Sequence, residues 1–148
     1  MTQTDFHILL ADDDEDDCMF FRDALDELSL TASLKTVNNG LELMDFLESN
    51  STKLPQVLFL DLNMPCKSGI ECLAEIRGSE KYKELPVIIY STSSNLDVMD
   101  LLYNNGAQYY IRKPADFSNL KSVIGRTIGL VKQKKILQPS RDEFLIKP

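Results

Sequence analysis

Residues 57–61 read Val-Leu-Phe-Leu-Asp, a short run of large apolar residues that ends in a carboxylate. The same arrangement occurs again along the chain, each time with a polar side chain after an apolar run. These further polar residues are Asp12 with Asp13, Ser91 and Lys113. Short apolar runs of this kind are typical of strands that are buried on both faces of a parallel sheet. The pattern therefore predicts a parallel sheet with polar residues at the ends of its strands.

The sequence between these runs predicts helices, so strands and helices alternate along the chain. We expect strands over residues 6–11, 32–37, 56–61, 86–91 and 108–112, and helices over 15–29, 40–49, 68–78, 95–104 and 117–134. Because crossovers between parallel strands are right-handed, helices on both faces require a sheet that grows in both directions from an early strand. The strand order 2-1-3-4-5 satisfies this condition. The predicted fold class is α/β, a flavodoxin-like doubly wound parallel sheet of five strands.

This strand order brings the polar residues together at one edge of the sheet. Strands 1 and 3 become neighbours, so Asp12 and Asp13 lie beside Asp61, with Ser91 and Lys113 on its other side. Carboxylates at such short range repel one another unless a cation or a proton lies among them. Mg²⁺ binds oxygen ligands of this kind and assists phosphoryl transfer. Asp61 is central in the group and is the natural nucleophile for phosphorus.

Composition narrows the possible functions. The chain has 148 residues and a net charge of −7. Its single histidine, His7, gives little support to a zinc site or a histidine-based catalytic triad. The acidic balance argues against a nucleic-acid surface, and no apolar stretch approaches the roughly 20 residues of a membrane span. Three cysteines without a CxxC pair suit a reducing compartment, and we expect a cytoplasmic protein. Glu15, Asp16 and Asp17 are expected to be a solvated helix start.

Taken together, these residues resemble the receiver domains of two-component response regulators. The resemblance spans about residues 6–134 and rests on Asp12-Asp13, Asp61-Leu62-Asn63-Met64-Pro65, Ser91 and Lys113-Pro114. It implies that Asp61 accepts a phosphoryl group from a phosphohistidine of a sensor histidine kinase or histidine phosphotransfer protein. It also implies a Mg²⁺ site, with Asp13 and Asp61 as carboxylate ligands, Asn63 binding through its backbone carbonyl and Asp12 acting mostly through water.

The resemblance further implies a switch. Ser91 and Lys113 would contact phosphoryl oxygens, and movement of the Ser91 hydroxyl would change the rotamer of Tyr110 and the surface around it. Tyr109 is expected on the opposite face of the strand, because side chains alternate. The bond between Lys113 and Pro114 is expected to be cis, an isomer that proline permits.

Several alternatives stay open at this point. Ser91 could instead cap a helix, and Thr92 is the neighbouring candidate for the hydroxyl role. Asp12-Asp13-Asp14 contains the Asp-x-Asp of haloacid-dehalogenase-like phosphatases, in which Asp12 would be the nucleophile. A binding module that is never phosphorylated is a third possibility.

The predicted domain organisation is a receiver domain over residues 1–134 and a C-terminal tail over residues 135–148. The tail contains Phe144, Leu145 and Ile146, and it is apolar enough to dock on its own domain or on a partner. No DNA-binding or enzymatic output domain fits in so few residues. We therefore expect a stand-alone receiver domain. Its output would be a contact with another, unknown protein or passage of the phosphoryl group to another histidine. A loose resemblance to stand-alone receivers that dimerise makes a homodimer one candidate.

Overall fold

The computed structural model describes residues 6–133 and 138–148, which form a parallel sheet surrounded by helices. The strands are β1 (Phe6–Ala11), β2 (Ala32–Val37), β3 (Val57–Leu60), β4 (Val87–Ser91), β5 (Tyr109–Arg112) and β6 (Leu145–Ile146). The helices are α1 (Glu15–Glu27), α2 (Gly40–Ser49), α3 (Gly69–Arg77), α4 (Leu96–Asn104) and α5 (Phe117–Lys132), and a short 3₁₀ helix spans Arg141–Glu143. The strands β1–β5 and the helices α1–α5 begin and end within two residues of the positions predicted from the sequence.

The sheet has the strand order β2-β1-β3-β4-β5-β6, and every neighbouring pair is parallel. The predicted flavodoxin-like α/β fold and the order of its first five strands are therefore confirmed. Ala11 pairs with Leu60 at the ends of β1 and β3, and Ser91 pairs with Arg112 at the ends of β4 and β5. The residues that follow these pairs meet at one edge of the sheet.

Two apolar layers cover the sheet, one on each face. The first contains buried side chains of α2, α3 and α4, including Leu43, Leu73 and Leu102. The second contains buried side chains of α1 and α5, including Phe21 and Ile124. The strands β3 and β4 are buried along their whole length because both of their faces are covered.

Each α-helix begins with a capping side chain close to the carboxyl edge of the sheet. The capping residues are Asp14, Asn39, Ser68, Asn95 and Asp116, and each accepts a hydrogen bond from a backbone N–H of the first turn. Such side-chain oxygens satisfy backbone donors that have no partner within the helix. The caps fix where each loop at this edge ends and its helix starts.

The sixth strand corrects the prediction of a five-stranded sheet. Leu145 pairs with Tyr110 and Ile146 pairs with Ile111, so β6 extends the sheet beyond β5. A strand of two residues shows no periodicity along the sequence, and its pairing depends on the free edge that β5 offers. The end of the predicted last helix at residue 134, and the predicted boundary between residues 134 and 135, lie outside the described residues.

Candidate functional site

The ammonium of Lys113 lies among the carboxylates that follow β1 and β3. Its Nζ donates hydrogen bonds to Asp12 Oδ2 and Asp17 Oδ2, both at 2.8 Å, and lies 3.9 Å from Asp61 Oδ1. The backbone N–H of Lys113 also donates to Ser91 O at 2.8 Å, which ties the end of β5 to the end of β4. The strand ends therefore bring Asp12, Asp61, Ser91 and Lys113 into one site.

Asp12 is fully buried, and both of its carboxylate oxygens have hydrogen-bond donors. Oδ1 accepts from the backbone N–H of Asp14 at 3.0 Å, and Oδ2 accepts from Lys113. A carboxylate that is buried and bonded at both oxygens is poorly placed to attack a substrate. This geometry does not favour Asp12 as the nucleophile of a phosphatase.

Asp17 takes part in the site, although the sequence led us to expect a solvated position. Its carboxylate lies in the first turn of α1, and one oxygen accepts from Lys113. No sequence signal marked Asp17, because acidic residues in a first helical turn are usually solvated and only the orientation of α1 brings this one to Lys113. Glu15 and Asp16 are exposed in the same turn.

Asp61 is buried to 94%, with 6% of its surface exposed, and carries a strongly perturbed pKa. Burial raises the pKa of its carboxyl to about 7, the charge of Lys113 opposes this rise, and the charge of Asp12 adds to it. Oδ1 accepts a hydrogen bond from the backbone N–H of Leu62 at 2.9 Å. A shift of this size marks Asp61 as a functional candidate, because ordinary surface carboxyls are ionised well below neutral pH.

Lys113 is largely buried, and its charge depends on the carboxylates around it. Burial alone would lower the pKa of its ammonium, but the hydrogen bonds to Asp12 and Asp17 outweigh this effect and raise the pKa above its usual value. The Nζ atom also lies 5.1 Å from the centre of the Tyr90 ring, within the range of a cation–π contact. The ammonium is therefore held in the charged form.

The predicted cis bond between Lys113 and Pro114 is wrong. No peptide bond among the described residues is cis. The trans isomer is favoured before proline by about 0.5–1 kcal/mol, and Lys113 reaches the carboxylates with the chain in that isomer.

Asp12, Asp13 and Asp61 fit a divalent cation. Each offers a carboxylate oxygen, and these oxygens lie within 4.8 Å of one another. Ligands of an octahedral Mg²⁺ are separated by about 3–4 Å, so small side-chain movements bring the three oxygens into range. Asn63 is exposed in the loop after Asp61, and the role of its carbonyl as a ligand stays a prediction.

Ser91, rather than Thr92, has the buried hydroxyl at the end of β4. Ser91 has no exposed surface, whereas Thr92 is exposed. Tyr110 is fully buried on the face of the sheet that carries α4, and its hydroxyl donates to Ser93 O at 2.8 Å. Tyr109 packs on the opposite face, as strand alternation predicts.

A comparison with protein-family models matches residues 8–125 to the response regulator receiver domain. The chain belongs to the receiver domain family of response regulators. The chain is 31% identical over 131 residues to the probable methanogenesis regulatory protein FilR2 of Methanothrix harundinacea (strain 6Ac). The aligned region covers 86% of this chain and 82% of FilR2.

Two solved structures of receiver proteins are similar to this receiver domain. The first is the phosphorylated cyanobacterial phytochrome response regulator RcpA, with a TM-score of 0.81, 30% identity and coverage of 93% of this chain and 100% of that chain. The second is the Mn²⁺-bound form of response regulator Rcp1, with a TM-score of 0.75, 28% identity and coverage of 90% and 99%, respectively. Together with the family match, they identify a phosphoacceptor of two-component signalling and do not favour the phosphatase.

Two general properties of the receiver domain family apply to this chain. Receiver domains bind a divalent metal, and histidine kinases phosphorylate them. In addition, the helices within residues 6–133 and 138–148 are too short or too polar to cross a membrane.

Proposed function

We propose that Asp61 is the phosphoacceptor of this receiver domain. One observation carries the proposal: Lys113 Nζ lies 3.9 Å from Asp61 Oδ1 while it is hydrogen-bonded to the neighbouring Asp12. An Asp61 oxygen attacks phosphorus, the new P–O bond forms, and the P–N bond to the donor histidine breaks. The histidine nitrogen leaves with the electron pair and takes up a proton. The Lys113 ammonium balances charge on the transferred group.

The metal of this site is proposed to be Mg²⁺. Asp12, Asp13 and Asp61 would hold it together with the backbone carbonyl of Asn63, and Asp12 would act mostly through water. When bound, Mg²⁺ neutralises charge on phosphoryl oxygens. The raised pKa of Asp61 supports a cation at this site. The carboxyl must lose its proton before it can attack phosphorus, and a bound cation favours the deprotonated form.

Ser91 and Tyr110 are proposed to read out the phosphoryl group. The Ser91 hydroxyl accepts a hydrogen bond from the backbone N–H of Ser93 at 3.1 Å, which leaves its proton free to donate to a phosphoryl oxygen. Tyr110 contacts the same loop through Ser93 O. A phosphoryl group of charge about −2 would therefore bias the position of this loop.

The proposed partners follow from this chemistry. The phosphodonor is a sensor histidine kinase or a histidine phosphotransfer protein, and the output is a contact with a downstream protein, with a homodimer as one form. We propose no enzymatic activity beyond the protein's own phosphorylation and dephosphorylation. The cysteines Cys18, Cys66 and Cys72 are free thiols, which supports the proposed cytoplasmic location.

The test is labelling of the whole chain by a small phosphodonor, acetyl phosphate, with and without Mg²⁺. We expect Mg²⁺-dependent labelling of the wild type and none in Asp61→Asn, while the exposed neighbour variant Asp16→Asn labels normally. Loss of label in Asp12→Asn with full labelling of Asp61→Asn would support the phosphatase instead. Absence of label in the wild type would support a binding module that is never phosphorylated.

A further inference from the structure

The C-terminal segment, residues 138–148, covers the edge of the sheet at β5. Its β6 pairs with β5, and the backbone N–H of Tyr110 donates to Phe144 O at 2.9 Å. Side chains add further bonds, because Gln138 donates to Tyr103 O at 2.7 Å and Arg141 Nε donates to Asp100 Oδ1 at 2.7 Å. The segment is therefore bound along both α4 and β5.

Phe144 is the apolar centre of this contact. Its side chain is fully buried, although the 3₁₀ helix just before it is not. Its ring centre lies 5.2 Å from that of Tyr103 and 6.0 Å from that of Tyr110, both in edge-to-face arrangements. Phe144 therefore contacts Tyr110 through its ring and, through its carbonyl, the Tyr110 backbone.

Tyr110 connects this contact to the site. Its hydroxyl donates to Ser93 O at 2.8 Å, and the backbone N–H of Ser93 donates to Ser91 Oγ at 3.1 Å. The orientation of the buried Ser91 hydroxyl thus depends on the position of Ser93. An unbroken set of contacts runs from Phe144 through Tyr110 and Ser93 to Ser91.

We propose that Phe144 is a positioning residue for phosphorylation, a role that rests on the proposed function of Asp61. With the C-terminal segment docked, Phe144 holds Tyr110 in place, Tyr110 holds the loop at Ser93, and the loop orients the Ser91 hydroxyl for a phosphoryl oxygen. Coupling of this kind is reciprocal, so a phosphoryl group on Asp61 also strengthens docking of the C-terminal segment.

The first test measures how tightly the full chain binds beryllofluoride, a mimic of the phosphoryl group, in the presence of Mg²⁺. We expect Phe144→Ala to weaken this binding about 5-fold or more, the lower range of allosteric coupling. Phe144→Leu, which keeps an apolar side chain, should recover most of the affinity. Leu47→Ala, a cavity variant in α2, should bind as the wild type does, because it lowers stability without touching this set of contacts.

Tyr110→Phe separates positioning from simple packing. This variant keeps the ring beside Phe144 and removes the bond to Ser93 O, so Phe144→Ala should have little further effect in its background. Wild-type affinity in Phe144→Ala, or an equal loss in the Tyr110→Phe background, would overturn the proposal.

The second test uses only the wild type, so it applies even if Phe144→Ala fails to fold. Hydrogen exchange of the Tyr110 backbone amide reports release of the C-terminal segment, because this amide donates to Phe144 O. Beryllofluoride with Mg²⁺ should slow this exchange about 5-fold or more, relative to exchange of the Phe6 amide. The Phe6 amide donates to Thr31 O near the opposite edge of the sheet and serves as the reference. Equal effects on both amides would contradict the coupling. If the wild type is not labelled by acetyl phosphate, the proposed function itself fails. If it is labelled but either coupling is absent, only the positioning role of Phe144 fails.

Discussion

Lys113 and Asp12 form an ion pair across the end of the sheet, although 101 residues separate them along the chain. The Asp12 carboxylate has no exposed surface, and 9% of the Lys113 side chain is exposed. Breaking a buried pair by removing one partner is costly, because the remaining charge stays buried without compensation. The pair therefore holds β1 and β5 in one arrangement and keeps the ammonium beside Asp61.

Replacing Lys113 by alanine is expected to lower both stability and phosphorylation. Without Mg²⁺ the free energy of unfolding at pH 7 should fall by about 3 kcal/mol, because Asp12 loses its charge partner. The rate of labelling by acetyl phosphate should fall about 100-fold, the usual effect of removing one charge-stabilising group. Urea denaturation and labelling measure the two effects. Lys121→Ala, which removes an exposed pair with Glu27, is the control and should change stability by less than about 1 kcal/mol. Equal behaviour of the two variants would contradict the role of Lys113.

The metal-free protein is expected to lose stability as the pH rises from about 4 to about 7. Burial raises the pKa of Asp61 from 3.8 to about 7, so the folded state holds this proton more tightly than the unfolded chain does. The stabilisation is complete below the unfolded pKa and is lost as the pH passes through the folded pKa. Urea denaturation at a series of pH values without metal measures the slope. Asp61→Asn lacks this titration and should show a smaller fall.

Mg²⁺ is expected to stabilise the protein more at pH 7 than at pH 5. Its carboxylate ligands must be deprotonated, so metal binding competes with the proton that burial retains on Asp61. Thermal unfolding with and without Mg²⁺ at the two pH values tests this dependence. A stabilisation that does not change between them, or one that Asp61→Asn retains in full, would show that the metal binds elsewhere.

Ser91→Ala is expected to slow labelling by acetyl phosphate about 10-fold or more, while Thr92→Ala has little effect. Ser91 has a buried hydroxyl at the strand end, whereas the Thr92 side chain is exposed. The two variants delete hydroxyls from neighbouring positions, so each serves as the other's control. A larger loss in Thr92→Ala would assign the hydroxyl role to Thr92.

The positions of Asp12, Asp61 and Lys113 could be predicted because they depend on few rules. Each follows a buried strand, parallel strands end at one edge, and the order 2-1-3-4-5 satisfies the rule of right-handed crossovers with helices on both faces. The register of Ala11 with Leu60 then makes Asp12 and Asp61 neighbours. No side-chain detail was needed for this part of the site.

Asp17 and β6 could not be predicted, because they depend on how finished parts of the fold fit together. Acidic residues in a first helical turn are usually solvated, and only the orientation of α1 places Asp17 within reach of Lys113. Leu145 and Ile146 form a strand only because the edge of β5 is free to pair. The cis bond at Pro114 came from the family resemblance alone, and the fold does not adopt it.

Gly69→Ala is expected to destabilise the protein and slow phosphorylation, because α3 begins against the backbone of Asp61. A Cβ at Gly69 would lie 2.3 Å from Asp61 O and 2.8 Å from Leu62 Cα, and neither backbone atom can move without shifting the acceptor. We expect the free energy of unfolding to fall by about 1–3 kcal/mol, as for overpacked sites, with a several-fold slower rate of labelling. Gly129→Ala is the matched control in α5, where a Cβ would have no neighbour within 4 Å beyond the adjoining residues and the backbone of its own helix. It should stabilise the protein by about 0.5–1 kcal/mol through helix propensity and label at the wild-type rate. Urea denaturation and acetyl phosphate labelling of both variants measure the two effects. If the Gly69→Ala protein were as stable and as reactive as Gly129→Ala, α3 would not constrain Asp61.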